Sequence, residues 1–374
     1  MLHLKIVKME VFTVALPEFT VFMFRGGPLT NKKVIVKLYT DEGIVGIGET
    51  TPVPSDWGHD ADTMEIVLRR FIEPGVIGMD PYDVECIFDN IESKVGFKQI
   101  PQAMLFERAA LDVALYDVMG KASGVPVNKL LGGSTKQKVA VAAVLSLAKP
   151  EEMAKEGQKF AAEGFFDFKL KVGVDPAEDV ARVKAVREAL GDDVDIRVDA
   201  NGGWTPNTAV KTIRAMERYS LQLVEQPVPR WDVKGMAYVR DHVETPIMAD
   251  ESLHSISDAL LLVEKEACDI FNIKFQRVGG LYNAKKILSI AEAADIECMV
   301  GSELETGVGT AAGIHLMASS KLFTIPSDLI GPIHFKDDIV KQKFTVKNGY
   351  MEVPTEPGLG VELNEEKVRM YKVS

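Results

Sequence analysis

The chain has 374 residues, of which 46% are hydrophobic, and its formal net charge is -12. This negative charge argues against nucleic acid and anionic membranes as partners, and the longest apolar runs are too short to span a bilayer. Three scattered cysteines and an N-terminus without a secretion-type apolar segment predict a cytoplasmic protein that has neither disulfides nor a zinc site. The length predicts two domains.

Residues 1–132 predict an α+β domain. Residues 34–49 have the pattern of a hairpin with a glycine-containing turn, Thr40-Asp41-Glu42-Gly43, and helical patterns follow from about 61 to 121. Residues 343–374 return to strand and loop patterns, and we expect them to rejoin this first domain.

Residues 133–342 alternate short apolar strands with amphipathic helical stretches. Eight such units in roughly 200 residues indicate a closed (β/α)8-type TIM barrel rather than an open doubly wound sheet. No Gly-x-Gly-x-x-Gly follows the first strand, which disfavours dinucleotide binding. The predicted strands are 138–147, 166–172, 194–199, 221–225, 246–250, 269–274, 296–303 and 322–329.

Charged residues end successive strands at a nearly constant interval of about one strand–helix unit. Lys171 is followed by Asp199, Glu225, Asp250 and Lys274. Because the carboxyl ends of barrel strands meet at one face, we expect the three carboxylates to lie together. Three carboxylates in a dry pocket require a cation, and oxygen ligands suit Mg²⁺, with Mn²⁺ as the alternative.

Lysines are predicted on both sides of these carboxylates. Lys169 and Lys171 share one face of strand two, which is costly inside a barrel unless the interior is negatively charged or catalytic. Lys171 and Lys274, from strands two and six, would stand on opposite sides of the metal. The metal would stabilise the enediolate formed when a proton α to a carboxylate leaves. A lysine beside a cation and a second lysine is expected to have a lowered pKa and to act as a base.

Asn201 and Glu251 are close in sequence to the predicted ligands. Asn201 is expected to support them or to belong to the loop. Glu251 is either a supporting residue or solvated.

The ordered motifs resemble those of the enolase superfamily, and in particular its muconate-lactonizing-enzyme subgroup. The resemblance covers essentially the whole chain. The matching segments are Lys169-Leu-Lys171, Arg197-Val-Asp199-Ala-Asn201, Val224-Glu225-Gln-Pro227, Ala249-Asp250-Glu251-Ser252 and Leu304-Glu305-Thr-Gly-Val-Gly309.

The resemblance implies a modified TIM barrel with an N-terminal capping domain, and a role for each matched residue. The implied metal ligands are Asp199, Glu225 and Asp250, and the implied acid/base pair is Lys171 and Lys274. Lys169 would support Lys171 and contact the substrate carboxylate. Loops 16–30 and 52–60 would close the barrel mouth, with an apolar contact surface from Phe19, Phe22, Phe24 and Trp57, for which ordinary packing is the alternative.

Departures from the pattern bear on the substrate. No histidine occupies the Lys274 position, which disfavours the mandelate-racemase-like subgroup. In dipeptide epimerases, which this chain also resembles, strand eight carries an Asp-x-Asp that holds the substrate ammonium. Here Ile330 stands where the second Asp would be, two residues after Asp328, which disfavours ordinary dipeptide recognition. Glu303 replaces a usual methionine and is expected to share a strand face with Glu305. Our hypothesis is a pocket for a cationic substrate group, and pairing of Glu303 with a lysine deep in the barrel is the open alternative.

The first predicted function is a racemase or epimerase of an amino-acid derivative, because two opposed lysines can serve both faces of the α-carbon. The alternatives are a muconate-type cycloisomerase and an o-succinylbenzoate-synthase-like dehydratase. A binding or structural barrel would be expected to lack a carboxylate or a lysine of the set. The partner is a small carboxylate substrate, and the resemblance implies a homo-oligomer, either a dimer or an octamer.

Overall fold

The computed structural model describes residues 4–17, 23–24, 27–28, 31–54, 58–96 and 103–373. Within these ranges no helix combines the length and apolar character needed to span a bilayer. The first part of the chain forms an antiparallel sheet in the order β1–β4–β5, and a small hairpin pairs β2 with β3. The strands are β1 (Ile6–Ala15), β2 (Met23–Phe24), β3 (Gly27–Pro28), β4 (Lys32–Thr40) and β5 (Val45–Thr50).

Helices cover one side of this sheet, and the β4–β5 pairing confirms the predicted hairpin. The buried helix Leu105–Ser123 lies so close to β5 that a Cβ on Gly48 would be 1.9 Å from the Ala110 carbonyl oxygen. Glycine is therefore required at that point. The helical segments here are Ala61–Val67, the π-helical Leu68–Ile72, Glu73–Val76, Val84–Val95, Leu105–Ser123 and Val127–Leu130.

The second part of the chain forms a curled sheet of seven parallel strands in sequential order. Its strands are β7 (Ala143–Leu145), β8 (Asp167–Lys171), β9 (Asp195–Asp199), β10 (Leu221–Glu225), β11 (Ile247–Ala249), β12 (Ile270–Ile273) and β13 (Glu297–Val300). The helices around it are Pro150–Ala162, Pro176–Leu190, Pro206–Glu217, Val233–His242, Ile256–Glu264, Phe275–Val278, Leu281–Ala293, Gly307–Ala318 and Gly331–His334.

The predicted eighth strand, 322–329, is not a continuous strand. Two isolated parallel bridges, Cys298–Phe323 and Val141–Ser327, take its place and join the two ends of the sheet. Pro326 lies between the bridges and has no N–H to donate, so the ladder is interrupted there. The fold is therefore the predicted modified TIM barrel, preceded in the chain by an α+β domain.

The predicted first strand also differs from the structure, because it divides in two. Its first half, β6 (Lys138–Ala140), pairs antiparallel with β14 (Tyr350–Glu352) outside the barrel. The chain ends with helix Glu365–Tyr371, after which the Val373 amide donates to the Thr13 carbonyl at 2.9 Å. The C-terminal residues thus contact the first sheet, and the boundaries at 132 and 342 stay a prediction.

The core of the barrel is layered. An apolar cluster of Leu223, Met248, Ile270, Met299 and Ile325 fills one level. Glu225 follows Leu223 by two residues on β10, so its side chain points to the same interior, one level closer to the carboxyl ends of the strands. The charged residues of the site therefore lie above an apolar floor.

Candidate active site

The strands bring the predicted charged residues to one end of the barrel. Lys171 on β8 is directly opposite Asp199 on β9, and Asp199 is opposite Glu225 on β10. Asp250 and Lys274 directly follow β11 and β12. All five residues are therefore at the carboxyl ends of consecutive strands, where barrel enzymes have their active sites.

Lys169 lies among three carboxylates. Its Nζ is 2.7 Å from Glu225 Oε2, 2.7 Å from Asp328 Oδ2 and 3.1 Å from Asp199 Oδ2. Burial lowers the pKa of this lysine, but the surrounding carboxylates outweigh burial and raise the pKa well above its ordinary value. Lys169 is therefore a fixed positive charge that holds the carboxylates together.

The two predicted acid/base lysines each contact a different carboxylate. Lys171 Nζ is 2.6 Å from Asp199 Oδ2, whereas Lys274 Nζ is 3.1 Å from Asp250 Oδ2 and 3.8 Å from Glu303 Oε1. A lowered lysine pKa was expected beside a cation. The protein groups alone have the opposite effect on Lys274. Burial lowers the pKa of this lysine, but the charges of Asp250 and Glu303 outweigh burial, so the pKa is raised above its ordinary value.

Burial and mutual repulsion raise the pKa values of two carboxyl groups of the site. Burial, followed by the charge of Asp199, raises the pKa of Glu225 to about 8. Burial and then Asp250 raise the pKa of Glu251 to about 7. Among the described residues, Glu251 Oε2 and Asp328 Oδ1 are buried without a hydrogen-bond donor. Oxygen atoms in this state are suited to a hard divalent cation.

A complete metal shell is not preformed. Over the described ranges, no three Asp, Glu, His or Cys side chains are grouped so that they could hold a metal ion as they stand. The Lys169 ammonium lies between Asp199 and Glu225 and keeps their oxygens on either side of it. Asp199, Glu225 and Asp250 therefore stay predicted ligands.

Asn201 and Glu251 contact the predicted ligands or each other. The Asn201 amide donates to Asp199 Oδ1 at 2.9 Å, and its Nδ2 donates to Glu251 Oε1 at 2.8 Å. Glu251 is half-buried, with its Oε2 shielded from solvent, so its side chain belongs to this network and is not freely solvated.

Three supporting residues were missed by sequence reasoning. Gln226 accepts the backbone N–H of Asp250 at 3.1 Å, and Asn272 donates to Glu225 Oε1 at 3.0 Å. Arg277 donates from Nη1 to Asp250 Oδ1 at 2.7 Å. Its spacing of three from Lys274 was the available signal, because residues three apart lie on one side of a helical turn.

Glu303 is paired within the protein. Its Oε1 accepts a 2.8 Å hydrogen bond from Arg277 Nη2, while Lys274 is farther away at 3.8 Å. Of the two interpretations of Glu303, the structure supports pairing with a buried cation, and the main partner is an arginine rather than a lysine.

The expectation that Glu303 and Glu305 share a strand face is wrong. β13 ends at Val300, and Leu304 has a φ of 57°, so strand alternation does not extend through these residues. Glu305 is buried and accepts the Glu303 amide at 2.9 Å. Burial raises the pKa of Glu305 to about 8.

The aromatic residues predicted at the barrel mouth lie mostly outside the described residues. This holds for Phe19, Phe22 and Trp57. Phe24 belongs to β2, but its side chain is not among the parts of the chain that the structure describes.

An N-terminal α+β domain, a modified TIM barrel and lysines on both sides of strand-end carboxylates define an enolase-type barrel enzyme. Residues 7–132 match the mandelate racemase / muconate lactonizing enzyme N-terminal domain, and residues 152–367 match the enolase C-terminal domain-like family. The chain belongs to this family, in the muconate-lactonizing-enzyme subgroup of the enolase superfamily. Members of the family generally depend on a divalent metal ion.

The chain is similar to several isomerases over nearly its full length. It is 36% identical to the N-succinyl-L-Arg/Lys racemase of Bacillus cereus, covering 99% of this chain and 98% of the racemase. The crystal structure of that racemase matches with a TM-score of 0.93 at 35% identity, over 99% of this chain and 98% of the other. The hydrophobic dipeptide epimerase of Enterococcus faecalis is 40% identical over 86% of each chain. Muconate cycloisomerase 1 of Rhodococcus opacus is 32% identical over 99% of each.

Proposed function

We propose that the protein is a Mg²⁺-dependent racemase or epimerase that removes and returns the proton α to the carboxylate of an amino-acid derivative. The observation that carries the proposal is the placement of Lys171 and Lys274. Lys171 is the last residue of strand two of the barrel and Lys274 directly follows strand six, and carboxylates stand at the ends of the three strands between them. Such a placement offers one lysine to each face of a substrate bound at the centre.

Each lysine has a defined part in the proposed reaction. One lysine, unprotonated at Nζ, takes the α-proton from its face, and the other, protonated, delivers a proton to the opposite face. The roles exchange for the other enantiomer. Lys169 would stay protonated throughout, because its three carboxylate partners raise its pKa. Its positive charge would orient the substrate carboxylate.

Asp199, Glu225 and Asp250 would hold the metal. Their donor atoms are all oxygens, which favours Mg²⁺, with Mn²⁺ as a substitute. When bound, the cation supplies a Lewis acid that lowers the free energy of charge developing on the substrate carboxylate. Chelation should abolish activity, and Mg²⁺ should restore it.

The preferred substrate class is an N-acylated amino acid. Glu303 is paired with Arg277 at 2.8 Å, and Asp328 with Lys169 at 2.7 Å, so a substrate ammonium would compete with a buried cation at either carboxylate. Ile330 supplies no second acid. The similarity to an N-succinyl-L-Arg/Lys racemase over the whole chain also favours an acylated substrate.

The test is a screen in D₂O with Mg²⁺ over N-succinylamino acids, free dipeptides and betaines, read by NMR for α-deuterium and by polarimetry for inversion. We expect deuterium in both enantiomers of an N-acylamino acid. Deuterium without inversion would contradict the two-base mechanism. A preference for free amines would contradict the substrate class.

A second candidate is muconate cycloisomerisation. It is favoured by the fold match to the Pseudomonas fluorescens muconate lactonizing enzyme complexed with muconolactone, with a TM-score of 0.94 at 29% identity over 99% of this chain and 100% of the other. That reaction requires one general acid only. Loss of the ultraviolet absorbance of cis,cis-muconate would identify it.

We also propose that the enzyme works in the cytoplasm as a homo-oligomer, a dimer or an octamer. Cys86, Cys268 and Cys298 are free thiols, as expected in a reducing compartment. Light scattering of the purified protein would determine the number of subunits.

A further inference from the structure

The carboxylate of Glu49 reaches from the first domain into the barrel. Glu49 is a buried residue of β5, and its Oε1 accepts the Thr306 amide at 2.8 Å. Its Oε2 accepts the Thr306 hydroxyl at 2.6 Å and the Gly309 amide at 2.9 Å. These amides belong to the start of helix Gly307–Ala318, whose first N–H groups have no partner within the helix. A side chain of one domain therefore caps a helix of the other.

The capped turn is packed tightly around this contact. A Cβ on Gly309 would be 2.5 Å from the Glu305 Cβ and 3.2 Å from Glu49 Oε2. Leu304, two residues before the cap, has a φ of 57°, which residues other than glycine rarely adopt. The unusual backbone of residues 301–306 is thus held at its C-terminal end by a residue of the other domain.

The same loop carries Glu303 into the candidate active site. Glu303 receives the Arg277 hydrogen bond at 2.8 Å, and Arg277 in turn donates to Asp250 at 2.7 Å. A displaced loop would move the Glu303 carboxylate away from Arg277 and from Lys274. The position of the capped helix and the charge distribution of the site are therefore mechanically linked.

We infer that Glu49 is a positioning residue: from the first domain it sets the conformation of loop 301–306 and so places Glu303 against Arg277 beside the acid/base site. Glu49 acts through Thr306 and Gly309. The effect on turnover depends on the proposed function, whereas the effect on the loop does not.

A second carboxylate of the first domain makes an equivalent contact. Asp112 on helix Leu105–Ser123 accepts the Leu281 amide at 2.5 Å and the Tyr282 amide at 3.3 Å, at the start of helix Leu281–Ala293. Gly280 has a φ of 110°, and a Cβ there would be 2.4 Å from Asp112. The two helices capped in this way follow the strands that lead to Lys274 and Glu303.

The test compares Glu49→Gln with Asp117→Asn in the full-length protein. Asp117 is a matched control, because it is also a buried carboxylate of the first domain that accepts two backbone amides, those of Ile47 at 2.9 Å and Leu359 at 2.8 Å. Asp117 does not share the hydrogen bonds that Glu49 makes to Thr306 and Gly309. Two quantities are measured: hydrogen–deuterium exchange of a peptide spanning 301–309, and kcat/KM on the substrate found in the screen.

We expect Glu49→Gln to accelerate exchange in 301–309 about tenfold and to lower kcat/KM about 10- to 100-fold, mainly through kcat. Asp117→Asn should leave exchange in that peptide unchanged, even if its melting temperature falls. A Glu49→Gln protein that loses melting temperature but keeps wild-type loop exchange would overturn the inference.

Failure of the proposed function gives a different result. If no substrate of the screen is turned over by the wild type, the exchange comparison still decides whether Glu49 holds the loop. If Glu49→Gln does not fold, Thr306→Val and Thr306→Ser replace it. Only the serine variant keeps the hydroxyl that donates to Glu49, so only Thr306→Val should accelerate loop exchange. Equal exchange in the two would refute the inference.

Discussion

Lys169→Met removes the positive charge at the centre of the site while keeping a long unbranched side chain. The lysine is buried, and its Nζ lies within 3.1 Å of carboxylate oxygens of Glu225, Asp328 and Asp199. The variant leaves these three carboxylates buried without their shared counter-charge. We therefore expect a large loss of stability that a divalent cation partly reverses.

The magnitude follows from the burial of the pair. Removing one partner of a buried ion pair costs about 3–5 kcal/mol in the free energy of unfolding. A cation bound only by the folded protein recovers about 2.7 kcal/mol when its concentration is 100 times its Kd. Mg²⁺ should thus restore roughly half or more of the loss in Lys169→Met. It should stabilise the wild type less, because there the ammonium already neutralises the same oxygens.

The assay is urea unfolding at pH 8, with EDTA or with excess Mg²⁺, for the wild type and two variants. The second variant, Lys136→Met, removes a half-buried lysine at the opposite end of the barrel that donates to the Phe323 carbonyl. Because the acceptor of Lys136 is an uncharged carbonyl, we expect Lys136→Met to lower the free energy of unfolding by only about 0.5–1.5 kcal/mol, with no dependence on Mg²⁺. Equal losses in the two variants, or an Mg²⁺ effect of the same size in both, would refute the reasoning.

Further predictions concern individual side chains. Lys171→Ala and Lys274→Ala should each retain α-proton exchange with only one enantiomer of the substrate, measured by NMR in D₂O; exchange with both would contradict one base per face. Glu303→Met should leave Arg277 without one of its two carboxylates and lower kcat/KM about tenfold or more, without a shift from plain carboxylates to amines in the substrate screen. Burial raises the pKa of Asp112 to about 7, so its contribution to stability is complete below about 3.8 and is lost as pH rises through 7. Asp112→Asn should therefore gain stability relative to the wild type between pH 5 and 8 in urea unfolding, and a constant difference would show that Asp112 does not titrate there.

The parts of the site that could be predicted from the sequence are those fixed by strand geometry. The step from Lys171 to Asp199 to Glu225 matches one strand–helix unit, and parallel pairing places residues at that interval side by side. Period-two alternation likewise put Lys169 and Lys171 on the same face. These inferences depend on regular elements, whose direction a pattern can give.

The parts that failed depend on irregular backbone. Strand alternation was extended to Glu303 and Glu305, but Leu304 adopts a left-handed conformation and turns the chain. Gln226 has a φ of 39° and supports Asp250 from a loop, a contact that no periodicity indicates. The prediction of a continuous eighth strand failed for a related reason. Its backbone is irregular, and only two isolated bridges join it to the neighbouring strands.

The pairing of Glu303 with Arg277 changes what the acidic residue implies about the substrate. From the sequence, an acid in place of an apolar residue suggested a pocket for a cationic group. In the structure, Arg277 Nη2 and Nη1 divide their hydrogen bonds between Glu303 and Asp250, at 2.8 and 2.7 Å. A substrate ammonium at Glu303 would have to displace a buried guanidinium, which would leave that charge with a single carboxylate, and the lost pairing would oppose binding. A neutral acylated nitrogen avoids this cost, so the same residue that suggested an amine now argues for an N-acylamino acid.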